Sequence, residues 1–208
     1  MTLAAVVQQL SAVHLLMASV VLVSLFAWTH DAIKRALLLN PYKVGRGQLH
    51  RLLTAAWIHG DIAHLVFNML ALFIFADRVL AILGVTWFLV MYVSAAVLAF
   101  VPTTVRYLRK PKYNSLGASG AVAAVMFSAI LLDPSLKLRL LFLPVPVPGV
   151  VFALAYLAYS AWQSQDSRDN INHDAHFSGA AYGILFTWLL EPTRVERALR
   201  TLVRTLGG

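Results

Sequence analysis

The sequence has no cysteine and little charge, and what charge it has is short of acidic groups. The missing thiols exclude disulfides, thiolate metal ligation and a cysteine nucleophile. Only 12% of the 208 residues are charged, 9 of them Asp or Glu against 17 Lys or Arg. Soluble domains carry about 25%. Hydrophobic residues make up 60% of the chain and the mean hydropathy is +0.73. So few charges cannot cover that much apolar surface in water, which implies an integral membrane protein. The net charge of +8 suits contact with anionic lipid heads. Its basic residues sit in short loops between apolar runs, which argues against nucleic-acid binding.

The charges are clustered. No Asp, Glu, Lys or Arg occurs before Asp31, between Arg78 and Arg106, between Lys112 and Asp133, between Arg139 and Asp166, or between Asp174 and Glu191, and only Asp61 lies between Arg51 and Asp77. The intervals define six apolar runs near the ~20 residues that cross a bilayer core, at roughly 10–29, 62–82, 85–104, 116–132, 140–162 and 175–191. An all-α, six-span bundle over residues 1–192 leaves 193–208 as a basic tail and no room for a separate soluble domain. The first run lacks a basic leader and an obvious cleavage site, so it reads as a retained span. Asp61 and Asp174 stand where they can N-cap the second and sixth spans. Pro144, Pro146 and Pro148 move the regular part of the fifth toward Gly149. Apolar pieces in the loop from His30 to Gly60 suggest short interfacial helices. With the termini inside, seven Lys and Arg face the cytoplasm and ten the outside, so charge alone leaves the orientation open. Arg194, Arg197, Arg200 and Arg204 align on one helical face, as expected of a solvated tail beside lipid heads.

Polar groups inside a membrane are expensive and mark functional candidates. They fall in three places: His59, His64 and Asn68 at the start of the second span; Gly117-Ala118-Ser119-Gly120 opening the fourth; and Asp174-Ala175-His176, with Gly179 and Gly183, opening the sixth. Each has an ordinary explanation. A membrane serine bonds back to its own helix, His64 and Asn68 share a helix face suited to packing, and Gly179 and Gly183 let two helices approach.

Together the three complement one another. A serine that cleaves peptides needs a base and an oxyanion site. Ser119 stands where a helix begins, beside free N–H groups and the positive dipole end. Gly117 and Gly120 clear side chains from above its hydroxyl. His176 is placed to take the serine proton and pass it to the leaving amine. Gly179 and Gly183, on the face of His176, allow close packing on the Ala-rich fourth span, and His64 and Asn68 can donate to the oxyanion. Asp174 is two residues from His176 and does not face it on a helix, so the expectation is a Ser–His dyad without a carboxylate. No metal or cofactor enters.

The conjunction of these motifs, in this order and in these spans, resembles the rhomboid family of intramembrane serine proteases. The resemblance implies Ser119 as nucleophile and His176 as base, an oxyanion hole of the Ser119 N–H, His64 and Asn68, and a structural role for His59. It also implies single-span membrane proteins as substrates, a fifth-span lateral gate and a cap loop from about Gln163 to His173. A bacterial-type member would sit in the inner membrane with cytoplasmic termini. Two positions depart from the family pattern: a Trp-Arg pair in the first loop is replaced by His50-Arg51, and the aromatic four residues beyond the serine, against which the histidine stacks, is Ala123 here. A non-catalytic relative that binds membrane helices is the main alternative, and a small transporter the second.

Overall fold

The computed structural model of the chain describes residues 3–138, 145–163 and 172–206. Most of the expected cap loop and residues 140–144 of the expected fifth span lie outside the described residues. Helices dominate. In chain order they are α1 (Leu3–Thr29), α2 (Asp31–Leu37), α3 (Pro41–Val44), α4 (His50–Thr54), α5 (Ile62–Leu98), α6 (Val101–Tyr107), α7 (Ser119–Leu132), α8 (Gly149–Gln163), α9 (His173–Leu190) and α10 (Pro192–Leu206). Two of the apolar stretches, Ala12–Thr29 and the run Ile62–Tyr107, are long and apolar enough by themselves to cross a bilayer.

The second stretch is two helices in one. Gly84 adopts φ 74°, ψ 171°, a backbone conformation open to glycine alone, and the helix turns back there. The Asp61 carboxylate accepts the His64 N–H at 2.8 Å, capping α5 as expected. α9 differs from expectation: its cap is Asn172, whose side chain accepts the Ala175 N–H at 3.0 Å. Asp174 lies inside the first turn instead, where its charge complements the helix dipole.

α7 is the centre. Of its 14 residues all but Ser119 and Leu131 are buried, and a helix surrounded on every side has no need of a polar face. It packs between α5 and α9, with α1 outside α5 and α8 beside α9. α1 turns Val13, Leu16, Val20, Ser24 and Ala27 inward, at helical spacing, and leaves Leu15, Leu22 and Phe26 outside. With Phe67, Phe73, Trp188 and Leu189 on other helices, these form an apolar exterior far beyond what a water-soluble monomer exposes. Short antiparallel strands, β1 (Lys137–Leu138) and β2 (Val147–Pro148), lead into α8 at Gly149. At that end of the bundle Arg78 pairs with Asp133 at 3.1 Å.

The loop between α1 and α5 is folded onto the opposite end. Buried Arg51, whose pKa is lowered by desolvation, donates from Nη1 to the Arg35 and Leu38 carbonyls at 2.9 and 2.7 Å and from Nε to Gln48 at 2.7 Å. The Arg of His50-Arg51 thus ties α2 to α4, which answers the first departure from the family pattern.

Candidate active site

The approach to α7 is built by backbone pairing. Leu39 and Ser115 exchange N–H···O bonds at 3.0 and 3.1 Å, and the Gly117 N–H donates to the Ala55 carbonyl at 2.9 Å. Gly117 has φ +113°. That left-handed turn delivers the chain into α7 with Ser119 as its first residue. The Ala118 N–H is taken by His59 Nε2 at 3.3 Å. Ser119 is half-buried, and no side chain caps the helix. The amides of its first turn are therefore available to an anion.

His59 is fully buried, and its partners settle its tautomer. Nε2 accepts from Ala118, so Nδ1 carries the hydrogen and donates to Ser24 Oγ at 3.0 Å, whose own hydrogen goes to the Trp57 carbonyl at 3.0 Å. Burial first, then the neighbouring His64, pushes its pKa down to about 3, against a smaller upward pull from Asp61. The ring is a neutral strut joining α1, the first loop and the serine turn.

His64 stands edge-on to His59, ring centroids 4.9 Å apart. A methyl on Gly117 would sit 2.6 and 2.7 Å from His64 Cε1 and Nε2. The glycine is therefore required twice, for its backbone angle and for the space the imidazole fills. Asn68 is buried and donates one amide hydrogen to the His64 carbonyl at 2.8 Å, which leaves its second for another acceptor.

At its glycines α9 meets α7 backbone to backbone, and deeper in the same contact Thr187 Oγ1 donates to Ser128 Oγ at 2.7 Å. A Cβ on Gly179 would overlap the Gly120 carbonyl oxygen, and one on Gly183 would overlap the Ala124 carbonyl oxygen. From the other side, a Cβ on Gly120 would stand 3.1 Å from the Ala175 carbonyl oxygen. Ser119 and His176 each adjoin one member of that Gly120–Ala175 contact, so the two chemistry-bearing residues occupy facing first turns. His176 stacks on Tyr156 of α8, ring centroids 5.9 Å apart at 19°, and meets His173 edge-on at 5.8 Å.

Tyr156 answers the second departure, since α8 supplies the stacking aromatic that Ala123 does not. Nothing in the local pattern announces it, because the contact is made across helices. Asn172 is the other residue missed. Its Oδ1 accepts from Thr103 at 2.8 Å as well as from Ala175, and its Nδ2 donates to Ser115 at 3.0 Å. One side chain thereby joins α6, the serine approach and α9. The Asp174 carboxylate is held by Arg106 at 3.1 Å.

Depth follows from helix lengths. A Cβ on Gly120 would lie 2.5 Å from that of Ala99, and the chain continues upward from Ala99 to Tyr107. At about 1.5 Å per residue, the stretch from Ala99 to Tyr107 puts the top of α6 at most about 12 Å above Ser119. α7 is short because it starts inside the bundle.

A mostly helical chain with an apolar exterior and a serine at a helix start is consistent with a helical membrane bundle. The chain belongs to the rhomboid family: the Rhomboid domain model matches residues 46–193. It is 32% identical over 158 residues to RHOMBOID-like protein 12, mitochondrial, of Arabidopsis thaliana, covering 69% of this chain and 46% of that protein. Rhomboid protein 1, mitochondrial, of Saccharomyces cerevisiae is 30% identical over 155 residues, 71% of this chain and 44% of its own length. Presenilin-associated rhomboid-like protein, mitochondrial, of Mus musculus is 30% identical over 142 residues, 65% and 36%. The matched part spans less than half the length of these relatives. All three are mitochondrial, which overturns the expected bacterial inner membrane with cytoplasmic termini.

Proposed function

We propose that the chain is an intramembrane serine endopeptidase acting through a Ser119–His176 dyad on transmembrane segments of membrane proteins. The observation that carries this reading is the side-chain-free contact of Gly120 with Ala175 and Gly179, which brings the turns bearing Ser119 and His176 together. Ser119 Oγ attacks the peptide carbonyl carbon as its proton passes to His176. The carbonyl electrons move onto oxygen, facing the free amides of α7, His64 and the second N–H of Asn68. As the C–N bond breaks, His176 protonates the departing amine. Water then attacks the acyl ester, gives its proton to His176, and the serine leaves as its hydroxyl is restored. The Tyr156 stack orients the imidazole in place of a carboxylate. His59, Gly117, Gly120, Gly179 and Gly183 hold the geometry. The chemistry as written uses no metal or cofactor.

Six spans complete the bundle in this reading: α1, the two arms of α5 with α6, α7, α8 and α9, over residues 1–192. The basic tail follows as α10, with Val195 and Ala198 buried and its arginines beside lipid heads. α8 serves as lateral gate. The relatives point to a mitochondrial membrane as the location. A helical peptide bond in lipid is bonded internally and sheathed by side chains, so substrates need a span weakened by Gly, Pro or polar residues. Labelling by a fluorophosphonate tests the dyad: wild type should react, and Ser119→Ala and His176→Ala should not. The same variants should fail to cut a panel of transmembrane reporters. Equal labelling of wild type and Ser119→Ala removes the serine from its role and leaves a non-catalytic helix-binding relative.

A further inference from the structure

The first loop and the segment between α6 and α7 form a basic rim above the serine; the carboxylates of the described residues on that side are Asp31 beside Arg35, Asp61 capping α5 and Asp174 held by Arg106. Residues 32–60 and 78–132 contain no Asp or Glu, and these stretches supply the first loop, α6, the segment after it and the approach to α7. Lys43, Arg46, Arg109, Lys110 and Lys112 are exposed there, and no carboxylate of the described residues lies within ion-pair distance of any of them. The two segments are one surface. Asn40 Nδ2 donates to the carbonyls of Pro111 and Tyr113 and to Asn114 Oδ1 at 3.0–3.2 Å, and the Leu39–Ser115 pairing continues into the serine turn. The guanidinium of Arg46 rests 3.9 Å over the Tyr42 ring. At the other end of the bundle Arg78 pairs with Asp133 and Arg194 with Glu191.

We infer that this rim is a docking surface for acidic segments that flank the substrate's transmembrane span on the serine side, a specificity that rests on the protease reading above. Cations along one edge of a water-exposed rim, with no fixed counter-charge, attract an anionic chain and suppress a basic one. A substrate held by its flank presents the adjoining stretch of its span to a serine at most about 12 Å lower. The flank acts in binding, so its effect falls on KM and not on kcat.

The test uses the full chain in phosphatidylcholine nanodiscs and reporters with one common span and four Asp, four Asn or four Lys on the serine side. At low salt the Asp reporter should show a KM about five- to tenfold below the Asn reporter, with equal kcat, and the gap should close near 0.5 M salt. A K43Q/R46Q/R109Q/K110Q/K112Q variant should lose the gap and cut the Asn reporter as wild type does. Cleavage with equal KM for the Asp and Asn reporters overturns the inference and leaves the protease reading standing. If no reporter is cut, salt-sensitive binding of the Asp reporter to the Ser119→Ala chain, by fluorescence anisotropy, supports the rim while the protease reading fails. A variant whose defect appears only in discs containing phosphatidylglycerol assigns the rim to lipid heads and overturns the inference.

Discussion

Gly179→Ala is the most demanding perturbation of the site, because one methyl group enters a contact between two backbones. Its Cβ would lie 2.7 and 2.9 Å from the carbonyl carbon and Cα of Gly120, closer still to the oxygen. Ordinary contact begins at 3.4 Å and the oxygen is the tightest of the three, so α9 must move away from α7 by more than about 1 Å. His176 is one turn from Gly179 and moves with it. A misplacement of about 1 Å between reacting groups costs about 100-fold in rate, or about 2.7 kcal/mol of barrier. Overpacking of this kind costs about 1–3 kcal/mol of stability. Reporter cleavage at saturating substrate should therefore fall about 100-fold, while the detergent-solubilised variant still unfolds cooperatively at a lower Tm. Gly183→Ala, one turn deeper against Ala124, should lower Tm comparably and spare more of the rate. Wild-type kcat and Tm in Gly179→Ala would refute the side-chain-free contact, and with it the reasoning that joins the two turns.

Three further outcomes follow from the same geometry. Tyr156→Leu removes the stack on His176, worth about 0.5–1.5 kcal/mol, and should lower kcat two- to tenfold. Tyr156→Phe should keep it, and a Leu variant as fast as wild type would dismiss the stack. Asn172→Ala removes a helix cap and two cross-segment hydrogen bonds and should cost about 2 kcal/mol of unfolding free energy; Asn172→Asp, which keeps the cap acceptor, should recover part of it. His59 has a folded pKa of about 3, below the ~6.5 of an unfolded histidine. The unfolded chain therefore binds the extra proton between those values, and stability falls as pH drops through that window, by up to about 1.4 kcal/mol per pH unit. Unfolding in detergent at pH 7, 6 and 5 should show a steeper loss for wild type than for His59→Gln. Parallel curves would contradict the neutral buried strut.

How far the fold can be read from the residues depends on the range of the interaction. Asp61 caps the helix it precedes, and Gly149 opens α8 where the prolines end. Both are local events that obey the chain's own geometry. Asp174 looked equally suited to cap α9, yet Asn172 does so. Asn172 also bonds Thr103 and Ser115, while Arg106 draws Asp174 into an ion pair. The tie goes to tertiary partners that no local pattern displays. The same holds for the aromatic under His176: Ala123 says that the usual position is vacant, and only the packing of α8 says what fills it.

The residues by themselves decided the solvent and the chemistry on offer. Long apolar runs with so little charge point to lipid, and a serine, two histidines and an asparagine near helix starts offer a candidate nucleophile, base and donors. The three-dimensional arrangement decided which helix starts face each other and what holds His59, Asn68 and Asn172. Carbonyl-to-glycine contacts between α7 and α9, the tautomer of His59 and the depth of Ser119 are relations between segments far apart along the chain. Burial and backbone approach act across space, and a linear order of side chains does not state which helices will touch.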